Sequence, residues 1–186
     1  MTSPQPIPID AALAAVAESR MPTASSGDTP ALRQTIAQFL RDSEMLSLVT
    51  LGEHGWPVAH CMHFAHYLGA GDRPIVYMFT HEGKRKMANI AANPRVALTI
   101  FNPQQSAGES QCYLRLAGVA RIVTDPGERT LAMEGQFDKP GYGFARQIGL
   151  ETQPALRVDV TDAVWIDPGA GSSARIDYRP NFGATS

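Results

Sequence analysis

The chain has 186 residues, of which 44% are hydrophobic and 18% charged, and its formal net charge is −2. That length and apolar content suit one domain with a sizeable core, and the near-neutral balance excludes a general nucleic-acid binder, which would be clearly basic. No apolar run approaches the roughly 20 residues that span a bilayer, and residues 1–10 contain no basic segment ahead of an apolar one, so neither a membrane anchor nor a secretory signal is expected.

The two cysteines, Cys61 and Cys112, lie in apolar, strand-like contexts. They read as buried thiols in a reducing, cytoplasmic setting rather than as a disulfide framework. Residues 1–28 are rich in Pro, Ser, Thr and Ala and read as an arm with at most a short helix near 9–20. The folded body is expected from residue 29. Asp28 or Thr29 can cap a helix there, Pro30 suits its first position, and Leu32, Ile36, Phe39 and Leu40 form its apolar stripe.

Strands are predicted over 45–51 and 56–64, joined by a turn at Gly52-Glu53-His54-Gly55, and over 74–79, with 67–73 as a break between them. Further strands are predicted over 95–101 and 111–123, with Gly118 as a bulge. A helix is expected from Asp125 to Gly135, and a last strand from Leu156 with an extension through 163–166. A meander of mostly antiparallel strands with one inserted helix points to a mainly β protein with flanking helices, folded as a small closed or partly closed barrel over 29–168. Residues 169–186 read as a C-terminal tail. The regular strand–helix alternation of a doubly wound sheet is absent, and so is a Gly-rich dinucleotide fingerprint.

The richest stretch runs from Phe79 to Pro94. An apolar strand ends at Phe79-Thr80, a turn contains Gly83, and Met87, Ile90 and Ala91 recur at helical spacing until Pro94. Lys84, Arg85 and Lys86 crowd the first turn of that helix. A helix N-terminus already carries about half a positive charge, so each cation there costs roughly 0.3–1 kcal/mol. A bound anion reverses the sign: free N–H groups, a threonine hydroxyl and cationic side chains all converge on it, and phosphate is the natural candidate.

The order Phe79-Thr80, Gly83, Arg85-Lys86, Asn93-Pro94 resembles the pyridoxamine 5'-phosphate oxidase-like family of FMN-binding split barrels, and the resemblance extends over most of 45–123. It implies that Arg85 and Lys86, with Lys84 as a lesser candidate, hold an FMN phosphate, and that Phe79 and Thr80 lie near the ribityl chain or ring. The segment His60-Cys61-Met62-His63 matches the strand that lines the flavin in this family. It lacks the family's Arg and Lys, so phosphate binding leans harder on 84–86. Tyr113 falls where relatives place a Gln against the flavin, five residues before Gly118. The resemblance further implies a homodimer with the flavin at the subunit interface, and oxidoreductase chemistry on a small-molecule substrate. The alternatives are a non-catalytic flavin, F420 or haem binding protein on the same fold, or an enzyme that uses F420 in place of FMN. No catalytic residue is assigned. The Arg-x-His substrate motif of the true oxidase has no counterpart in the tail, where only Arg175 and Arg179 stand as candidates to reach a partner's site, so pyridoxal phosphate synthesis is not expected.

His60, His63 and His66 are spaced by three, which chelates from a helix but not from a strand, where His60 and His63 face opposite sides; no metal site is expected. Trp56 and Trp165 read as core or interface anchors. Arg157 reads as facing water or, across an interface, a flavin.

Overall fold

The computed structural model describes residues 25–101, 112–139 and 149–179. The expected arm helix near 9–20, the loop 102–110 and the end of the tail lie outside these residues. The first helix, α1 (Pro30–Asp42), begins as its sequence dictates. Thr29 is the cap, its Oγ1 accepting a hydrogen bond from Leu32 N at 3.2 Å, and Ile36, Phe39 and Leu40 are buried. Asp28 instead pairs with Arg33 at 2.6 Å.

A single sheet of nine strands follows, curled into a half-barrel. Its path runs through β1 (Ser25–Ser26), β9 (Ser172–Asp177), β8 (Ala155–Asp167), β7 (Tyr113–Ile122), β6 (Arg95–Phe101), β2 (Met45–Leu51) and β3 (Pro57–His63). A branch leaves β8 at its N-terminal half, where β5 (Pro74–Phe79) pairs with it and carries β4 (Ala65–Leu68) on its other edge. The thirteen-residue β8 is therefore the seam that splits the barrel, since β9 occupies the same edge further along. All pairings are antiparallel except β1 with β9. The bulge expected at Gly118 is present as a register shift between Ala117 and Gly118, where a Cβ on the glycine would sit 2.6 Å from the Asp159 carbonyl oxygen.

Inner faces of the strands, α1 and Ile90 build the main core. A second core of Ala65, Tyr77, Phe79, Val123, Ala132, Leu150 and Ala155 includes Ala132 of α3 (Pro126–Phe137). The strand β5 divides these cores. Val76 and Met78 enter the first, Tyr77 and Phe79 the second. A strand buried on both faces reads as a continuous apolar run, which is the pattern of 74–79.

Four expectations change. The break at 67–73 holds a strand, β4, through Leu68. The boundary at 168 falls inside the sheet, because β9 pairs with β8 out to Asp177. Cys61 is exposed on the outer face of β3, and Cys112 is half-buried; neither is in a disulfide. Arg157 faces neither water nor an open cleft. It bonds Glu128 Oε1 at 2.7 Å and Asp159 Oδ1 at 2.6 Å, half-buried between β8 and α3. No helix among the described residues is long and apolar enough to cross a membrane.

Candidate functional site

Strand β5 delivers Thr80 to the edge of the cores. Its N–H donates to Pro154 O at 3.1 Å, and the side chain is 4% exposed. The chain then turns at Gly83, whose φ of +70° favours glycine, and enters α2 (Arg85–Ala92) through Lys84. Lys84 occupies the N-cap without a side-chain cap bond, and the first turn holds no acidic residue. The earliest N–H groups of the helix have no intrahelical acceptor.

The other face of α2 anchors it. Ile90 enters the main core, and buried Asn89 donates from Nδ2 to Thr50 Oγ1 on β2 at 2.8 Å. Lys86 lies three residues before Asn89, so it shares that face and leans inward. Its Nζ donates to Thr80 Oγ1 at 3.2 Å. Burial first, then repulsion from Lys84, pushes the Lys86 ammonium below its ordinary range. Arg85 is exposed and makes no hydrogen bond or ion pair among the described residues.

His60 lies on the inner side of β3, aligned with Leu48 of β2. Its imidazole is pushed below its ordinary range by burial, then by Lys86 and Arg85. The structure thus joins Thr80 and Lys86 at the start of α2, where Lys84 and Arg85 lie exposed, and the charges of Lys86 and Arg85 reach His60 on β3. Two of these groups are unsatisfied in a way that fits an anionic guest: the uncapped helix start and the buried His60 Nε2, which has no hydrogen-bond partner.

The remaining sequence candidates lie elsewhere. Phe79 is buried in the second core and Met62 in the main core, so both have only backbone groups to offer a ligand. Cys61 and His63 face the outer side of β3, away from Met62. Tyr113 is on the outer face of β7, its ring 5.8 Å from that of Phe101. It lines a cleft of about 520 Å³ with Arg115, Asp162 and Arg175. Among the described residues no three His, Cys, Asp or Glu side chains gather around a possible metal position.

Sequence reading missed a second feature beside α2. Trp56 is not a core anchor: it is 73% exposed and lines a cleft of about 600 Å³ with Arg85, Asn89, Val58 and Glu53. Trp165 does pack, edge-on to Phe39 with ring centroids 4.9 Å apart. The available signal for the Trp56 cleft was Asn89 itself, a polar residue on the apolar face of a short helix.

A family profile described as pyridoxamine 5'-phosphate oxidase matches residues 32–161. The chain belongs to this family. Among solved structures, this family member resembles a Clostridium acetobutylicum protein of the pyridoxinephosphate oxidase family related to general stress protein 26. The identity is 14%, over 79% of this chain and 94% of that one, with a TM-score of 0.59. It also resembles a haem-binding protein from Mycobacterium smegmatis, at 20% identity over 78% of this chain and 56% of that one, with a TM-score of 0.59. A third likeness is to HutZ, the haem storage protein from Vibrio cholerae, at 18% identity over 68% of this chain and 88% of that one, with a TM-score of 0.54. A search of curated proteins found no match. At these identities the solved structures establish the split-barrel fold.

Proposed function

We propose that this family member is an FMN-dependent oxidoreductase whose flavin phosphate is held at the start of α2. The observation that carries the reading is the Lys86–Thr80 bond at an uncapped helix start that also carries Lys84 and Arg85. Helix N–H groups, a hydroxyl and two cations match a phosphate monoester in charge and in donor count. The bound flavin would supply hydride or electron transfer; the chain's part is to bind the phosphate, hold the ring and exclude water from it.

A homodimer completes the reading. Phe101 is 54% exposed and Val119 45%, on adjacent strands of the outer sheet face. Covering that face with a second copy would bury them and set Tyr113, Arg115 and Arg175 at a subunit boundary, where a flavin ring would find an aromatic neighbour. The substrate is a small molecule, and the missing Arg-x-His motif argues against pyridoxamine phosphate.

A second reading, a haem-binding protein without catalysis, is supported by the relatives described as binding or storing haem and by His60 and His63. The purified protein separates the two. Flavin absorption bands on isolation, or after adding FMN, are expected. A Soret band on adding haem, lost in His60→Ala or His63→Ala, would favour the second. Absence of flavin bands even with excess FMN overturns the first.

A further inference from the structure

We propose that the cleft beside α2 is a nucleotide subsite: it takes an aromatic base against Trp56 and the phosphate that carries this base against Arg85, as the adenylate half of a flavin dinucleotide. This rests on the reading of the α2 start as a flavin phosphate site and lengthens the cofactor which that site admits; FMN remains a ligand.

One wall of the cleft is α2, through Arg85, Ala88, Asn89 and Ala92. The other is the turn that joins β2 to β3, through Glu53 and Trp56. The volume of about 600 Å³ is within the ordinary range of a small-molecule site. Both walls are held without a ligand. Asn89 Nδ2 donates to Thr50 Oγ1 at 2.8 Å and fixes α2 against β2. The Gly52 N–H donates to Trp56 O at 2.7 Å, and the Gly55 N–H to Gly52 O at 3.1 Å, which closes the turn that carries the indole. Ala88 and Ala92, four residues apart on one face of α2, bring only methyl groups to their wall. Trp56 is the most exposed large apolar side chain among the described residues. A flat indole on a fixed turn at a preformed cleft is a surface on which a heteroaromatic base stacks, with little ordering cost.

The cations of the α2 start divide between two directions. Lys86 turns to Thr80, its Nζ donating to Oγ1 at 3.2 Å. Arg85 lines the cleft and makes no hydrogen bond or ion pair among the described residues. A first phosphate at the helix start meets Lys86 and the free N–H groups. A second phosphate joined to it would meet Arg85, whose planar guanidinium suits two phosphate oxygens at once, and the group beyond it would enter the cleft. Glu53 narrows the identity of that group. It sets a carboxylate on the wall opposite Arg85, where it repels an anion and accepts hydrogen bonds from hydroxyl or amino groups. A nucleotide has this polarity, with phosphate at one end and ribose hydroxyls and an amino-bearing base at the other. An apolar chain would leave both charges unanswered.

The test is calorimetric titration of the full chain with FMN, FAD and AMP, with size-exclusion chromatography of each variant. FAD should bind the wild type about tenfold or more tighter than FMN, the usual gain from stacking one base on an aromatic side chain. Trp56→Ala should abolish that difference and leave FMN affinity unchanged, while Trp56→Tyr keeps most of it. Ala88→Leu, at an exposed helix position, fills the cleft from the other wall and should also remove the FAD advantage alone. AMP should compete with FAD and bind more weakly than it. Equal affinities for FMN and FAD in the wild type, or equal losses of both in Trp56→Ala, overturn the subsite while the phosphate site stands. If FAD shows no gain but AMP binds beside FMN in the wild type and not in Trp56→Ala, the cleft takes a free mononucleotide and the dinucleotide assignment falls. A change of oligomeric state in Trp56→Ala, with no preference for FAD in the wild type, assigns the cleft to a second copy and overturns the proposal. If neither flavin binds, the phosphate site falls with it.

Discussion

At the start of α3, Asp125 Oδ1 accepts from the Glu128 N–H at 2.7 Å, and Pro126 occupies the first turn. Glu128 adds a negative charge there and receives hydrogen bonds from Arg121, Arg157 and the Tyr77 hydroxyl. At the start of α2, Lys84 takes the position of Asp125 and offers no acceptor, and Arg85 and Lys86 follow in place of an acid. The α3 start is completed by the chain's own side chains and ties α3 to β5 and β8. The α2 start is completed, in the reading proposed here, only by an anion from outside. The comparison separates a helix end that serves stability from one whose electrostatics make sense with a ligand, and each can be broken independently.

The largest expected effect is on binding. Arg85→Ala with Lys86→Ala should weaken FMN binding by about 3–5 kcal/mol, because charge-assisted hydrogen bonds contribute roughly 1.5–3 kcal/mol each. The empty protein should hold its stability or gain a few tenths of a kcal/mol from relieved repulsion at the helix start. Fluorescence titration with FMN and urea denaturation of the apo protein measure the two effects. An unchanged FMN affinity would remove the phosphate assignment, and a large loss of apo stability would mean that the cations serve the fold after all.

The next effect sits on the α3 side. Burial alone would raise the Glu128 carboxyl, but hydrogen bonds from Arg121, Arg157 and Tyr77 outweigh it and hold it down to about 2, from an ordinary 4.5. The folded value lies below the unfolded one. The stabilisation is therefore complete above about pH 4.5 and fades as pH falls towards 2. It amounts to about 2–3 kcal/mol, since the Arg121 partner is half in water and screened. Glu128→Gln imitates the protonated carboxyl. It should lose that stability at neutral pH, show a flatter acid limb in denaturation at pH 2–5, and leave FMN affinity unchanged. If the variant keeps the wild-type acid limb, the network does not carry the pH dependence.

Much of this contrast was legible in the sequence, and the reason is local. Caps, proline at the first helical position and a run of three cations are signals within four or five residues, so α1, α2 and α3 could each be read at their starts. The apolar run 74–79 exposed β5 for the same reason. Long-range pairings left no such trace. Arg157 could be assigned only once Glu128, 29 residues away, was placed beside it. Lys139 is buried and donates to the carbonyl oxygens of Leu40 and Ser43 at 2.5 and 2.6 Å, closing the end of α1 across nearly a hundred residues. Its partners are backbone groups, which have no sequence signature. Strand β4 hid behind His66 and Tyr67, whose alternation is obscured because Ala65 packs into one core while His66 and Tyr67 are both only half-buried. Strand β9 hid among serines, one of which, Ser173, is buried. His60 was read from a resemblance as a flavin neighbour; that the charges of Lys86 and Arg85 reach it needed the fold.

The smallest change is the most discriminating, because it converts one helix start into the other. Lys84→Asp places at the α2 N-cap the residue that caps α3. If the α2 start is an ordinary helix end, the new carboxylate should accept from an N–H of the first turn and remove a cation from the positive end of the dipole. The apo protein should then gain about 1 kcal/mol. The same carboxylate would face an incoming phosphate and occupy a donor meant for it, so FMN affinity should fall, by about 1–2 kcal/mol for an exposed position screened by salt. Lys84→Ser separates the two contributions, since it caps without adding negative charge: it should keep most of the stability gain and lose less affinity. A helix end built for stability has no reason to improve when its wild-type residue is replaced. Opposite signs for apo stability and FMN affinity in Lys84→Asp would show that the cationic start is maintained against the interest of the empty fold, and equal signs would show that it is not.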